Sequence, residues 1–110
     1  MRRAFMCHNK KMARSKTALK TGEIRKRLKR LPDWSVNAAG TQLSKTYSFP
    51  SFVDGLAFIA KVTVHAEILN HHPDVELSYT KVKFKLTTHE AKCLTDLDFD
   101  LAHRIEAITR

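Results

Sequence analysis

Cysteine is nearly absent from this chain. Two residues, Cys7 and Cys93, do not make a disulfide framework and fit a reducing intracellular compartment. Long apolar runs are missing as well. The longest, residues 55–64, is interrupted by Lys61, so no membrane span is expected. The amino terminus lacks the apolar run of a secretory leader. Glycine and proline number three each, with no internal repeat and no low-complexity segment beyond a basic arm. Acids are scarce at the start of the chain: residues 1–30 hold twelve Lys/Arg against Glu23, a balance of +11, while residues 31–110 balance at −2. The basic character is therefore an amino-terminal property and the body is slightly acidic. What remains is ordinary: 110 residues, 43% apolar and 28% charged, suit one domain with a single core.

The arm, residues 1–17, shows no period and reads as an extension. It could be a solvated tail, an organelle-targeting segment, or a contact for an anionic partner. Nucleic-acid binding through it is not expected, because Phe5 stands without an interleaved aromatic series. Residues 18–110 form the domain. Thr21 is positioned to cap a helix whose apolar face is Ile24, Leu28 and Leu31, stopped by Pro32. The cations Arg25, Lys26, Lys29 and Arg30 suit the carboxyl end of that helix. Residues 34–36 and 43–49 predict two strands around the turn-rich Asn37-Ala38-Ala39-Gly40. Phe52, Leu56, Ile59, Ala60, Thr63, Ala66 and Leu69 follow a helical period to about Asn70, and Pro73 ends it. Residues 74–79 and 81–87 predict two more strands; Val82, Phe84 and Leu86 alternate with Lys81, Lys83 and Lys85. Thr95-Asp96-Leu97-Asp98 resembles a capping box that opens a last helix. The order α-β-β-α-β-β-α predicts an α+β fold, a four-stranded antiparallel sheet with three helices on one face.

Histidine is the feature that stands out. His71, His72 and His89 fall within a short span, with Glu67 and Asp98 on either side. Imidazole is the side chain suited to proton transfer near neutral pH. Glu67 and His71 are four residues apart and would share a helix face. Taken singly, each residue has a plainer role: His71 and His72 as helix-ending polar groups, His89 as a loop residue, Asp98 as a cap, Trp34 as core. His65 and His103 read as ordinary helix residues. A metal site is not expected, since adjacent histidines without a cysteine pair match no common ligand spacing.

The joint pattern is more specific. Glu67-Ile68-Leu69-Asn70-His71-His72-Pro73 is followed by Tyr79, by Thr87-Thr88-His89-Glu90 and by Leu94-Thr95-Asp96-Leu97-Asp98, with Leu31-Pro32-Asp33-Trp34 upstream. Over about residues 18–110 this resembles the pterin-4a-carbinolamine dehydratase family, whose members include dimerisation cofactors of a homeodomain transcription factor. The resemblance implies dehydration of 4a-hydroxytetrahydrobiopterin to quinonoid dihydrobiopterin and water, in support of tetrahydrobiopterin recycling, with neither cofactor nor metal. It implies His71, His72 and His89 as catalytic residues. Glu67 would orient His71, Asp98 would orient His89 or bind the pterin, and Trp34 and Pro73 would wall the pocket. It also implies a homodimer or homotetramer, assembled through the strand 43–49 or the long helix. The alternative is a protein-interaction module on the same fold. The expected location is cytoplasmic, with nuclear entry or organelle targeting left open.

Overall fold

The computed structural model describes residues 17–109; residues 1–16 of the basic arm, with Cys7 and His8, lie outside the described residues. Leu19 anchors the start of the domain by packing on the core and donating its N–H to Leu94 O at 2.9 Å. Helix α1, Thr21–Leu28, follows. Its N-cap is Lys20, without a side-chain capping bond, and Thr21 is already helical. The helix also ends before the expected Pro32. Arg30 and Leu31 donate to carbonyls three residues back, a tightened last turn that drops Leu31 into the core at 1% exposure.

Strands β1, Ser35–Val36, and β2, Leu43–Ser48, form the first hairpin. Asn37 Oδ1 accepts from the N–H groups of Thr41 and Gln42 at 2.8 and 3.0 Å, and Gly40 supplies the positive φ of 74° that the turn requires. Helix α2, Phe52–Leu69, is capped by the Ser51 side chain, which accepts from Asp54 N at 3.1 Å. Strands β3, Asp74–Ser78, and β4, Lys81–Leu86, form the second hairpin around Tyr79, whose φ is 53°. That turn conformation takes Tyr79 out of the strand predicted to include it. Helix α3, Asp96–Ile108, closes the chain with the capping box foreseen in its sequence.

The sheet is antiparallel in the order β1-β2-β4-β3. Register places Leu43 opposite Leu86, Lys45 opposite Phe84 and Tyr47 opposite Val82. One sheet face is therefore apolar: Leu43, Val82, Phe84 and Leu86 are fully buried beneath the helices. Phe58 of α2 lies between Phe49, Tyr47 and Phe84, with ring centroids 5.0, 5.2 and 5.8 Å away. Gly55 lets α2 approach closely, since a Cβ there would lie 3.2 Å from Val82 Cγ2. On α3, Leu97, Leu101 and Ile105 are buried, so the last helix is held against the same core.

Candidate active site

The site is built where α2 ends and α3 begins. Asn70 takes the left-handed conformation, φ 51°, which asparagine tolerates better than most residues. Asn70 N–H returns to Glu67 O at 3.1 Å and His71 N–H to Ala66 O at 2.9 Å, which reverses the chain at the helix end. The two adjacent histidines then part. His71 turns inward, to 7% exposure, while His72 stays exposed.

His71 Nε2 lies 2.6 Å from Asp98 Oδ1. Asp98 has no exposed surface. Its second oxygen accepts from Thr88 Oγ1 at 2.8 Å and from Thr95 N–H at 2.9 Å. Thr88 and Thr95 are equally buried, and their hydroxyl oxygens are 2.7 Å apart. A carboxylate sealed from water needs such donors, and the amino end of α3 adds the favourable pole of its dipole. As a carboxylate, Asp98 only accepts, so Nε2 of His71 carries the hydrogen between them. In the neutral ring Nδ1 is then the bare nitrogen, free to take a proton.

The second pair is open to solvent. His72 Nε2 meets Glu67 Oε2 at 2.5 Å, with the two side chains 52% and 69% exposed. Glu67 thus engages His72, where the four-residue spacing had pointed to His71. Likewise Asp98 engages His71, where the resemblance had implied His89 or the pterin as its partner. His89 is exposed and directly follows Thr88, whose side chain holds Asp98; no described residue hydrogen-bonds the His89 ring. Pro73 is half-buried beside His72.

Trp34 belongs to another cluster. It is 4% exposed and donates from Nε1 to Glu106 Oε2 at 3.0 Å. The same oxygen receives Lys45 Nζ and Tyr47 OH, each at 2.5 Å. Glu106 follows Asp98 by eight residues, about 12 Å along the helix axis. Burial raises the pKa of Glu106, but hydrogen bonds from Lys45, Tyr47 and Trp34 outweigh it and hold the carboxyl below its usual 4.5. Burial pushes the Tyr47 phenol up, and Glu106 adds to the shift. Trp34 therefore locks the carboxyl end of α3 to the first hairpin and makes no described hydrogen bond to the histidines.

A groove of about 440 Å³ lies between α1 and α3, with Arg27, Phe99 and His103 among its lining residues. None of His71, His72 and His89 lines it. Its acids are engaged by cations, Glu23 and Asp96 by Arg27 and Asp100 by Arg104. His71 and Asp98 meet instead at the α2–α3 junction, with His72 beside them in sequence and His89 following Thr88, and this is the candidate site. Among the described residues no cluster of three His, Cys, Asp or Glu side chains could hold a metal ion.

Comparison with known proteins decides the family. The model of the family described as pterin 4 alpha carbinolamine dehydratase matches residues 17–108. The chain belongs to the pterin-4a-carbinolamine dehydratase family. Two curated relatives, both named provisionally as pterin-4-alpha-carbinolamine dehydratase, bear this out. One, from Roseiflexus sp. (strain RS-1), is 42% identical over 92 residues, 84% of this chain and 97% of the relative. Another, from Trichormus variabilis (strain ATCC 29413 / PCC 7937), is 43% identical over 86 residues, 78% of this chain and 90% of the relative. Among solved structures, a transcriptional coactivator/pterin dehydratase from Brucella melitensis superposes with a TM-score of 0.81 at 28% identity, covering 86% of this chain and 100% of that one. A pterin dehydratase-like protein identified as a RuBisCO assembly factor in the alpha-carboxysome shares the fold alone, with a TM-score of 0.59 at 21% identity over 69% of this chain and 88% of that one. The α+β dehydratase fold expected from the sequence is thus the observed one.

Two residues at the centre of the site were missed in the sequence as site residues, Thr88 and Thr95. A signal for the first was present. Val82, Phe84 and Leu86 point inward, and the next residue in that alternation is Thr88. A hydroxyl at a buried phase demands a buried partner.

Proposed function

We propose that this protein dehydrates a 4a-hydroxytetrahydropterin, 4a-hydroxytetrahydrobiopterin by the family resemblance, to the quinonoid dihydropterin and water, and so serves pterin recycling. The observation that carries the reading is the His71–Asp98 pair, an imidazole with one nitrogen fixed and the other available. In the reaction the C4a–O bond breaks, the oxygen leaves as water after gaining a proton, and N5 gives up its hydrogen. His71 takes the N5 proton at Nδ1, and Asp98 supplies the counter-charge to the imidazolium that forms. His89, on the turn beside Thr88, gives the proton to the departing hydroxyl. His72, steadied by Glu67, orients the substrate, with Pro73 beside it. The chemistry calls for no metal or cofactor.

The test is direct. His71→Ala and His89→Ala are expected to lower turnover of the carbinolamine at least tenfold each, with circular dichroism unchanged. Near-normal rates in both variants would dismiss the reading.

An assembly role has its own support. Helix α2 is apolar on its outer side as well as its inner one. Val53, Leu56, Val64 and Ile68 are 70, 51, 57 and 63% exposed. A helix apolar on both sides is built to be covered on both. Its pattern is nearly symmetric about Ala60: Leu56 and Val64 lie four residues to either side, Phe52 and Ile68 eight. A twofold antiparallel contact pairs such positions, so the occupant proposed is a second copy of this chain. Of the two interfaces considered from the sequence, this favours the helix. No described helix is long and apolar enough to cross a membrane. The second reading, an interaction module without turnover, rests on the same exposed face.

A further inference from the structure

We infer that Thr88 is a positioning residue that sets the tautomer of His71 and the placement of His89 together; the catalytic part of this inference rests on the dehydratase reading above. Thr88 Oγ1 has one hydrogen and two close oxygens, Asp98 Oδ2 at 2.8 Å and Thr95 Oγ1 at 2.7 Å. A carboxylate cannot donate, so the Thr88 hydrogen goes to Asp98. Thr95 must therefore donate to Thr88. The Thr95 oxygen in turn accepts from Leu97 N–H at 3.2 Å. The direction of every hydrogen is thus fixed from Leu97 through Thr95 and Thr88 to Asp98. At Oδ1 the carboxylate then faces His71 Nε2, which donates.

The backbone of Thr88 serves the other histidine. Its N–H donates to Cys93 O at 3.1 Å, and its carbonyl accepts from Ala91 and Lys92 at 3.1 and 2.7 Å. These bonds close the turn that begins with His89. One residue thus holds both halves of the proposed proton exchange, His71 by its hydroxyl and His89 by its main chain. With the hydroxyl removed, Asp98 keeps only the Thr95 N–H at Oδ2, the Thr95 hydroxyl loses its acceptor, and rotation of the carboxylate releases Nε2.

The experiment compares Thr88→Val, which replaces the hydroxyl by a methyl at equal volume, with Thr88→Ser, which keeps it. Nitrogen-15 shifts of the His71 ring in the full-length protein report the tautomer without reference to turnover. Wild type and Thr88→Ser are expected to show the Nε2–H form of the neutral ring, and Thr88→Val a mixture of both tautomers. Turnover in Thr88→Val is expected to fall about tenfold or more in kcat with KM within about twofold, and Thr88→Ser to recover most of it. An unmixed Nε2–H tautomer with wild-type kcat in Thr88→Val would overturn the inference. So would a Thr88→Ser variant as impaired as Thr88→Val. If Thr88→Val does not fold, Thr88→Ala, which removes the same hydroxyl from Asp98, is read in the same way. Absence of dehydratase activity in the wild type would dismiss the functional reading and leave the tautomer result to decide the positioning role.

Discussion

Replacing Asp98 by asparagine tests the site most sharply, because the shape is kept and only the hydrogen-bonding roles change. The carboxylate faces two donors at Oδ2, Thr88 O–H and Thr95 N–H, and one group at Oδ1, the His71 ring. An amide has one oxygen and one NH₂. Orienting the NH₂ toward Oδ2's partners sets it against two donors; orienting it toward His71 sets it against one. The oxygen therefore stays with the threonines and the NH₂ faces Nε2. Neutral His71 must then give up its Nε2 hydrogen and carry it on Nδ1, the nitrogen proposed to take the substrate proton. A misplaced tautomer removes the general base, an effect that reaches about 10⁴-fold in a catalytic triad. Here a fall in kcat of about 10²-fold or more is expected, equivalent to at least about 2.7 kcal/mol of barrier. Losing the charge-assisted bonds of a group with no exposed surface is expected to cost about 1–3 kcal/mol of stability. Carbinolamine dehydration followed by stopped-flow absorbance gives the first number, and urea unfolding the second. A folded Asp98→Asn protein with kcat within about threefold of wild type would refute the assignment of His71 Nδ1 as the working nitrogen.

Two further outcomes follow from other parts of the molecule. Glu106 has a folded pKa below its usual 4.5, so the stability it contributes is present above that value and is lost as pH falls through the lower folded one. The urea midpoint of wild type is expected to drop over that acid range, and Glu106→Gln to flatten the drop; equal slopes in both proteins would contradict it. The outer face of α2 predicts that Leu56→Lys, which sets a charge into the proposed twofold contact, lowers the assembly state measured by sedimentation while leaving the monomer fold intact. Unchanged sedimentation would count against this face as the interface.

The fold was legible wherever a period was long. The alternation of Val82, Phe84 and Leu86, the helical stripe of α2 and the capping box of α3 all read through to the observed elements. Ends were less legible, because they depend on tertiary contacts. The Leu19–Leu94 bond helps set where α1 begins, and no local signal announces it. Pairings within the site were the hardest part. The four-residue rule that joined Glu67 to His71 holds only while the helix continues. Asn70 leaves it with a positive φ, and Glu67 reaches His72 in place of His71. His71 and Asp98 are separated by 27 residues, so no spacing argument could join them. The family resemblance brought both into view, and only the packing of α3 against the end of α2 defined their contact.

That contact also places the site late in the life of the chain. A ribosome synthesises β1, β2, α2 and the second hairpin before Asp98 exists, so His71 is made without its partner. A chain cut after His89 and before α3 keeps all three histidines and lacks the group that aims one of them. On the proposed dehydratase reading, turnover would report that the last helix has docked, not merely that the three imidazoles have been synthesised. A nascent or truncated protein of this kind carries the histidines in its sequence without the carboxylate that His71 meets in the folded chain.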